Sequence, residues 1–231
     1  FAALEATPGV CVRYIRSAGE LGTPDMTVLP GTKSTIADLR WLRERGLEAS
    51  IKKLAAQGAL IFGVCGGYQM LGRRITDSEG AEGGGEINGL GLLQTETTFA
   101  AQKHRTRVSG RILPCGGTLS SMGGVTVDGY EIHMGETVLL DGASPLVALD
   151  NARLDGCCCG NVYGSYLHGF FDAEACREAV LTALAAAKGV SLAAPSFDLN
   201  AYKNRQYDML ASSMREHLDM GLIRRILDEG I

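Results

Sequence analysis

No apolar run in this 231-residue chain approaches the roughly 18 residues that a membrane span requires. Nor does a charged-then-apolar leader open it, so neither a spanning segment nor export is expected. Positive charge is not in excess either. Twenty-two Lys and Arg stand against 26 Asp and Glu, a net charge of −4, which argues against nucleic-acid binding as the main activity. An even cysteine framework is also missing. The cysteines number seven and three are consecutive (Cys157, Cys158 and Cys159), so they form no disulfide scaffold and a reducing cytoplasm is the expected setting. The triplet has no C-x-x-C or histidine spacing beside it, and neighbouring side chains of an extended run point to opposite faces, so no metal site or other function is expected there. A phosphate loop is absent as well. Gly31-Thr32-Lys33-Ser34-Thr35 fails the pattern, which needs glycine where Thr32 and Thr27 stand. No internal repeat or low-complexity tract is present.

What the chain does have is enough apolar sequence, 45%, to build a core, at a length that suits one large α/β domain or two small ones. Val10 to Ile15 and Met26 to Leu29 read as strands, the second ending at Pro30-Gly31. Thr35 with Asp38 forms a capping box that opens a helical pattern, and a second helix is expected over Leu47 to Gln57. A strand covers 59–64. The stretch 75–90 is glycine-rich and polar, a mobile surface loop. Gly91 to Ile112 and Val125 to Leu140 alternate as strands and should pair antiparallel. Val162 to Leu167 is a further strand ending at His168-Gly169. Asp172 is the expected N-cap of an alanine-rich helix running to about Lys188. Pro195 breaks the chain before a long amphipathic tail helix from about Asp198. Early βα alternation with a later β-rich half indicates an α/β fold, its sheet mostly parallel with antiparallel additions.

The most informative stretch is residues 59–72, ALIFGVCGGYQMLG. A β-rich run stops at Cys65, two glycines follow, and an amphipathic helical pattern begins. Gly63-Val64-Cys65-Gly66-Gly67 is the thiol counterpart of the G-x-S-x-G nucleophile elbow, a strand-to-helix turn that strains the nucleophile and needs glycine for close packing. A cysteine there sits at a helix N-terminus, whose partial positive charge should favour thiolate, and the Gly66 N–H points where an oxyanion would form. The plainer alternative is a buried cysteine ending a core strand.

Acyl transfer by a thiol needs a base, and only four histidines are available. His168, at a strand's C-terminal end beside Gly169, is the expected partner. Glu131 and His133 share one face of a strand-like run, which either lines the site or is a solvated or hydrogen-bonded sheet face. His104 and His217 lie in polar surroundings and are expected at the surface. A second oxyanion donor is expected from the N–H of Gly31 or Thr32, in the loop after the Met26 to Leu29 strand.

Six segments in order, VLPGTKSTIADLRWLRERGL, FGVCGGYQMLG, EINGLGLLQTET, GYEIHMGET, GNVYGSYLHGFFD and RQYDMLASSMREHLDM, closely resemble the C-terminal glutamine amidotransferase domain of the cobyric acid synthase family, within the class I (cysteine nucleophile) glutaminases. The resemblance covers essentially the whole chain. It implies a flavodoxin-like α/β sheet with helices on both faces, residues 1–231 forming one glutaminase domain with Cys65 as nucleophile and His168 as general base. It further implies a C-terminal piece of a longer chain, preceded by an ATP-dependent synthetase domain. ATP and Mg would belong to that domain, and no cofactor to this one. Glutamine would supply ammonia for amidating four carboxylates of adenosylcobyrinic acid a,c-diamide in cobalamin biosynthesis. Many class I glutaminases carry a carboxylate two residues after the histidine, where Phe170 stands here. Glu131 is the candidate substitute for orienting His168.

Three other readings compete. The chain could serve a related amidating enzyme, such as cobyrinic acid a,c-diamide synthase or one that amidates lipid II; the GYEIHMGET and GTKST forms favour the first reading. It could be a degenerate, non-catalytic partner-binding module, although such modules commonly lose the cysteine or histidine retained here. A cysteine peptidase is disfavoured by the full motif set.

Overall fold

The computed structural model describes residues 1–190 and 198–230, and the chain divides into two compact units, Phe1–Ala194 and Pro195–Ile231. The first unit opens with two single-turn helices, α1 (Ala2–Glu5) and α2 (Ala18–Leu21). Strand β1 (Met26–Leu29), helices α3 (Thr35–Glu44) and α4 (Leu47–Ala56), strand β2 (Leu60–Val64) and the short helix α5 (Gly66–Leu71) follow. Next come β3 (Arg74–Asp77), β4 (Gly85–Asn88) and the long strands β5 (Thr95–Ile112) and β6 (Thr126–Leu139). The short strands β7 (Val147–Leu149), β8 (Leu154–Asp155), β9 (Cys157–Cys159), β10 (Val162–Ser165) and β11 (Leu167–His168) lead to helix α6 (Glu174–Ala187). The second unit contains α7 (Leu199–His217) and α8 (Met220–Glu229).

Two sheets organise the first unit. One is four-stranded, in the order β1-β2-β10-β9, with β1, β2 and β10 parallel and β9 antiparallel at its edge. Its register pairs Leu29 with Gly63 and Ser165 with Val64, so all three parallel strands end at one edge. Ligands of open α/β sheets gather outside such carboxyl ends. The remaining strands form a second, seven-stranded sheet with the path β11-β6-β5-β3-β4, antiparallel except for the parallel β3–β5 pair. Its spine is the expected antiparallel pair, from Thr95 opposite Leu139 to Arg111 opposite Thr126. At Tyr166 the chain leaves the first sheet and joins the second, where Leu167 pairs with Glu131 and His168 with Tyr130.

Strand β2 is buried along its whole length. Phe62 packs against Phe170 and Phe171, with ring centroids 4.7 and 5.1 Å apart. Each such side chain contributes about 1.5–3 kcal/mol by leaving water, which holds rigid the strand that ends at Cys65. No helix of the described residues is long and apolar enough to cross a membrane.

Several local expectations are corrected. Val10 to Ile15 is not a strand. Val10, Val12 and Ile15 pack on the core, but no strand ladder forms there among the described residues. The Thr35/Asp38 capping box does not form either. Ser34 is the N-cap, the Asp38 carboxylate accepts from the Thr32 hydroxyl, and the Thr35 N–H is capped at 2.6 Å by Glu82, 47 residues away. Glu82 comes from the glycine-rich stretch read as a loop. That stretch is largely a β3–β4 hairpin, whose turn is organised by Asp77 accepting the N–H groups of Ala81, Glu82 and Gly84, each at 2.8 Å. Ala173, not Asp172, precedes α6 as its cap. The tail from Asp198 is two helices rather than one, because Asp219 caps the second through the Leu222 N–H. The Pro195 break and the side chain of His104 lie outside the described residues. His217 is exposed, as expected.

Candidate active site

Cys65 joins β2 to α5 with φ 52° and ψ −111°, a conformation costing a side-chain-bearing residue about 1–3 kcal/mol. Neighbouring contacts hold it there. Its N–H donates to the Ser165 carbonyl at 2.9 Å, and its carbonyl accepts from the Gln69 N–H at 3.0 Å. The flanking glycines are steric necessities: a Cβ on Gly63 would stand 2.7 Å from Tyr68 Cα, and one on Gly67 would overlap the Leu29 carbonyl. The expected elbow is thus present in its backbone.

Three sequence-predicted residues converge on it. A Cβ on Gly31 would lie 3.2 Å from His168 Cε1 and 3.3 Å from Cys65 Cβ, so Gly31 fills the narrow space between those two side chains. Thr32 lies against Gly66, whose Cβ would come within 3.1 Å of the Thr32 N. The Gly66 N–H hydrogen-bonds to Cys65, and Thr32 belongs to the segment packed on Gly66. Cys65 Sγ approaches the Ile132 carbonyl at 3.5 Å, and the His168 ring hydrogen-bonds to the same carbonyl. His168 Nε2 is buried and has no hydrogen-bond partner among the described residues.

The electrostatics reverse one expectation. Burial pushes the Cys65 thiol up to about 11, and the carboxylates of Glu82 and Asp155 add to the rise, against a lowering by the Gly66 N–H. The thiol is therefore not held as thiolate by the helix N-terminus; desolvation outweighs a single turn of dipole. Burial also lowers His168 below its ordinary value, opposed by its bond to Ile132. Thiol and imidazole are both neutral near pH 7.

Glu131 does not orient His168. Its buried carboxylate is paired with Arg153, and the imidazole is held by a backbone carbonyl instead. The face carrying Glu131 and His133 is turned inward. His133 stacks on Tyr166 with ring centroids 3.8 Å apart, and its Nδ1 lies 2.7 Å from the Gly135 carbonyl. Phe170 belongs to the core, 2% exposed against Phe62, which leaves no place there for a charged side chain. The cysteine triplet forms the edge strand β9, with Cys157 and Cys158 buried and Cys159 exposed.

Sequence reasoning missed a buried polar chain beside the elbow. Thr35 Oγ1 donates to Gln69 Oε1 (3.1 Å), Gln69 Nε2 to Tyr166 Oη (3.0 Å), and Tyr166 meets Thr137 (2.5 Å), which meets Thr97 (2.7 Å). Only Gln69 carried a signal, as an amide in an otherwise apolar elbow helix. Asp155 was missed too. It is 4% exposed and accepts from the Ser165 hydroxyl and, at 3.1 Å, from the Tyr166 N–H.

Residues 1–176 match the family model described as the CobB/CobQ-like glutamine amidotransferase domain. Among curated relatives, a cobyric acid synthase of Ruminiclostridium cellulolyticum is 44% identical over 239 residues, covering 100% of this chain and 46% of the relative. One from Citrobacter koseri is 43% identical over 237 residues, covering 99% of this chain and again 46% of the relative. The chain thus spans about half the length of these relatives. Of solved structures, PurLQS from Thermotoga maritima is similar in fold at a TM-score of 0.56 and 19% identity, covering 79% of this chain and 90% of that one. A second, described as a glutamine amidotransferase, gives 0.55 and 18%, covering 80% and 91%.

Proposed function

Since this chain belongs to the CobB/CobQ-like glutamine amidotransferase domain family, we propose that it hydrolyses glutamine at Cys65 and is the ammonia-releasing half of a cobyric acid synthase. The observation that carries the reading is the placement of His168 across Gly31 from a cysteine on a strained elbow.

In this reading Cys65 Sγ attacks the side-chain amide carbon of glutamine as His168 Nε2 takes the thiol proton, so nucleophile and base are activated together. The tetrahedral oxyanion is stabilised by the N–H groups of Gly66 and of Thr32 or Gly31. His168 returns the proton to the departing nitrogen, the C–N bond breaks, and ammonia leaves a γ-glutamyl thioester. Water then adds to the thioester carbon, giving its proton to His168, and the C–S bond breaks to yield glutamate and the restored thiol. The Ile132 carbonyl holds the imidazole with Nε2 free to accept, which serves in place of a triad carboxylate.

The remaining length of the relatives leaves room for a synthetase domain. Ammonia would pass to that domain, which would bind ATP and Mg and amidate adenosylcobyrinic acid a,c-diamide in the cytoplasm. The relatives' shared name favours this acceptor over those of cobyrinic acid a,c-diamide synthase or lipid II amidation. A partner-binding module without catalysis is disfavoured because Cys65 and His168 are both kept and lie on either side of Gly31. The test is ammonia and glutamate release from glutamine by the full-length protein and its Cys65→Ala variant. Hydrolysis should fall by roughly 10⁴-fold or more, while amidation driven by free ammonia persists. Loss of both reactions would make Cys65 structural.

A further inference from the structure

Asp155 is a buried acid that the dyad chemistry does not use, and burying a carboxylate is costly unless it is hydrogen-bonded. Apart from a bond to the N–H of the adjacent Gly156, its bonds converge on one place. The carboxylate accepts from the Ser165 hydroxyl and from the Tyr166 N–H at 3.1 Å, and the Ser165 oxygen in turn accepts the Leu167 N–H at 3.0 Å. Residues 165–167 form the corner at which the chain leaves the parallel sheet for the antiparallel one. A chain changing sheets leaves its peptide N–H groups without ladder partners, and here Asp155 and Ser165 satisfy them. The same corner is tied through the main chain to both reacting residues. The Ser165 carbonyl accepts the N–H of Cys65 at 2.9 Å, and His168 follows two residues after the corner's midpoint.

We infer that Asp155 is a positioning residue: through the Ser165–Tyr166–Leu167 corner it sets the distance and angle between Cys65 and His168. It thereby does by backbone anchoring what an orienting carboxylate at position 170 does by direct contact. The alternatives for that duty are committed elsewhere, Glu131 to Arg153 and Phe170 to the core. The side chain sets the geometry only through others, since its oxygens are taken by hydrogen bonds, while its charge adds to the rise of the Cys65 thiol. Burial, with the Glu131 charge nearby, raises its carboxyl to about 6 despite these bonds, which agrees with a group retained for geometry at some expense in stability.

The inference rests on the glutaminase reading, and the test separates the two. Kinetics of ammonia release are measured on the full-length protein and its Asp155→Ala, Asp155→Asn and Ser165→Ala variants, with histidine ring N–H protons followed by NMR. Asp155→Ala should lower kcat about 100-fold, the effect of a displacement near 1 Å, with KM for glutamine changed less than about threefold. Asp155→Asn, which can still accept the Tyr166 N–H, should recover most of the loss. The His168 ring N–H resonance should vanish or move in the alanine variant. A folded alanine variant with unchanged kcat, or an asparagine variant no better than alanine, overturns the inference. If Asp155→Ala does not fold, Ser165→Ala takes its place, with a loss of about tenfold in kcat expected and full activity overturning the idea. If the wild type does not hydrolyse glutamine, the glutaminase reading fails on its own. The ring resonance then still decides the positioning role, its loss in Asp155→Ala or Ser165→Ala supporting it and its persistence overturning it.

Discussion

Cys65 and His168 converge on a single atom, the carbonyl oxygen of Ile132, which lies 3.5 Å from Sγ and accepts the hydrogen bond of the imidazole. The carbonyl accepts from the thiol and so favours its neutral form, while burial keeps the imidazole neutral against the bond to that same carbonyl. The resting pair is therefore thiol and imidazole, not thiolate and imidazolium.

That assignment predicts the pH profile. kcat/KM for glutamine should rise as His168 loses its proton, with a midpoint below the ordinary histidine value of 6.5. No thiolate absorption should be seen near neutral pH, because the Cys65 thiol is raised to about 11. The stability sign follows from the same shift. Below 6.5 the unfolded chain binds a proton at this histidine before the folded one does, so this contribution is complete above 6.5 and is lost as pH falls toward the folded value. A thiolate band at neutral pH that disappears in Cys65→Ala would contradict the neutral pair.

Reactivity among the seven cysteines should follow exposure rather than catalytic role. Cys11 and Cys159 are exposed, whereas Cys65 is buried with a raised thiol. A shift from 9.0 to about 11 leaves roughly 100-fold less thiolate. Small neutral alkylating agents should therefore modify Cys11 and Cys159 first. A glutamine-shaped diazo ketone should invert the order, since it brings its own binding energy to the site. Mapping modified peptides against time decides it; early alkylation of Cys65 by a small reagent would count against a protonated resting thiol.

Two glycines should respond differently to the same methyl group. Gly31→Ala places a Cβ 3.2 Å from His168 Cε1 and 3.3 Å from Cys65 Cβ. Its neighbours can yield by a few tenths of an ångström, so stability should change by less than about 1 kcal/mol while kcat falls about tenfold or more. Gly67→Ala drives its Cβ into the Leu29 carbonyl, which is main chain and cannot swing aside. That variant should lose about 3 kcal/mol or more of stability, seen in its denaturant midpoint. Equal effects of the two on stability would mean that the space around Gly31 is not the gap between the reacting groups.

The isolated chain should hydrolyse glutamine more slowly than it does within a full-length protein. Its site is bordered by the β3–β4 hairpin, whose Glu82 caps α3 at Thr35, and a neighbouring domain can bias such a contact. About 1.4 kcal/mol of oxyanion-hole misalignment costs tenfold in rate. If the proposed synthetase half is present, adding it with ATP and the proposed corrinoid acceptor should raise ammonia release at least about tenfold. Identical rates would show a site fully formed without its neighbour.

The sequence by itself determined the elbow and the histidine placed beside it. Gly63, Cys65 and Gly67 are legible because a strand-to-helix turn is a local event, written in a few consecutive residues. His168 is legible because alternation from Val162 locates a strand end. What surrounds them was decided only by the tertiary structure. Glu82 caps a helix 47 residues earlier in the chain, Glu131 is claimed by Arg153, and Asp155 anchors a corner between two sheets. Val10 to Ile15 alternates like a strand yet finds no ladder among the described residues. The protonation of Cys65 also escaped the sequence. A helix N-terminus can be read from residue order, but desolvation depends on how much of the folded chain closes over the thiol, and no local pattern of residues records that.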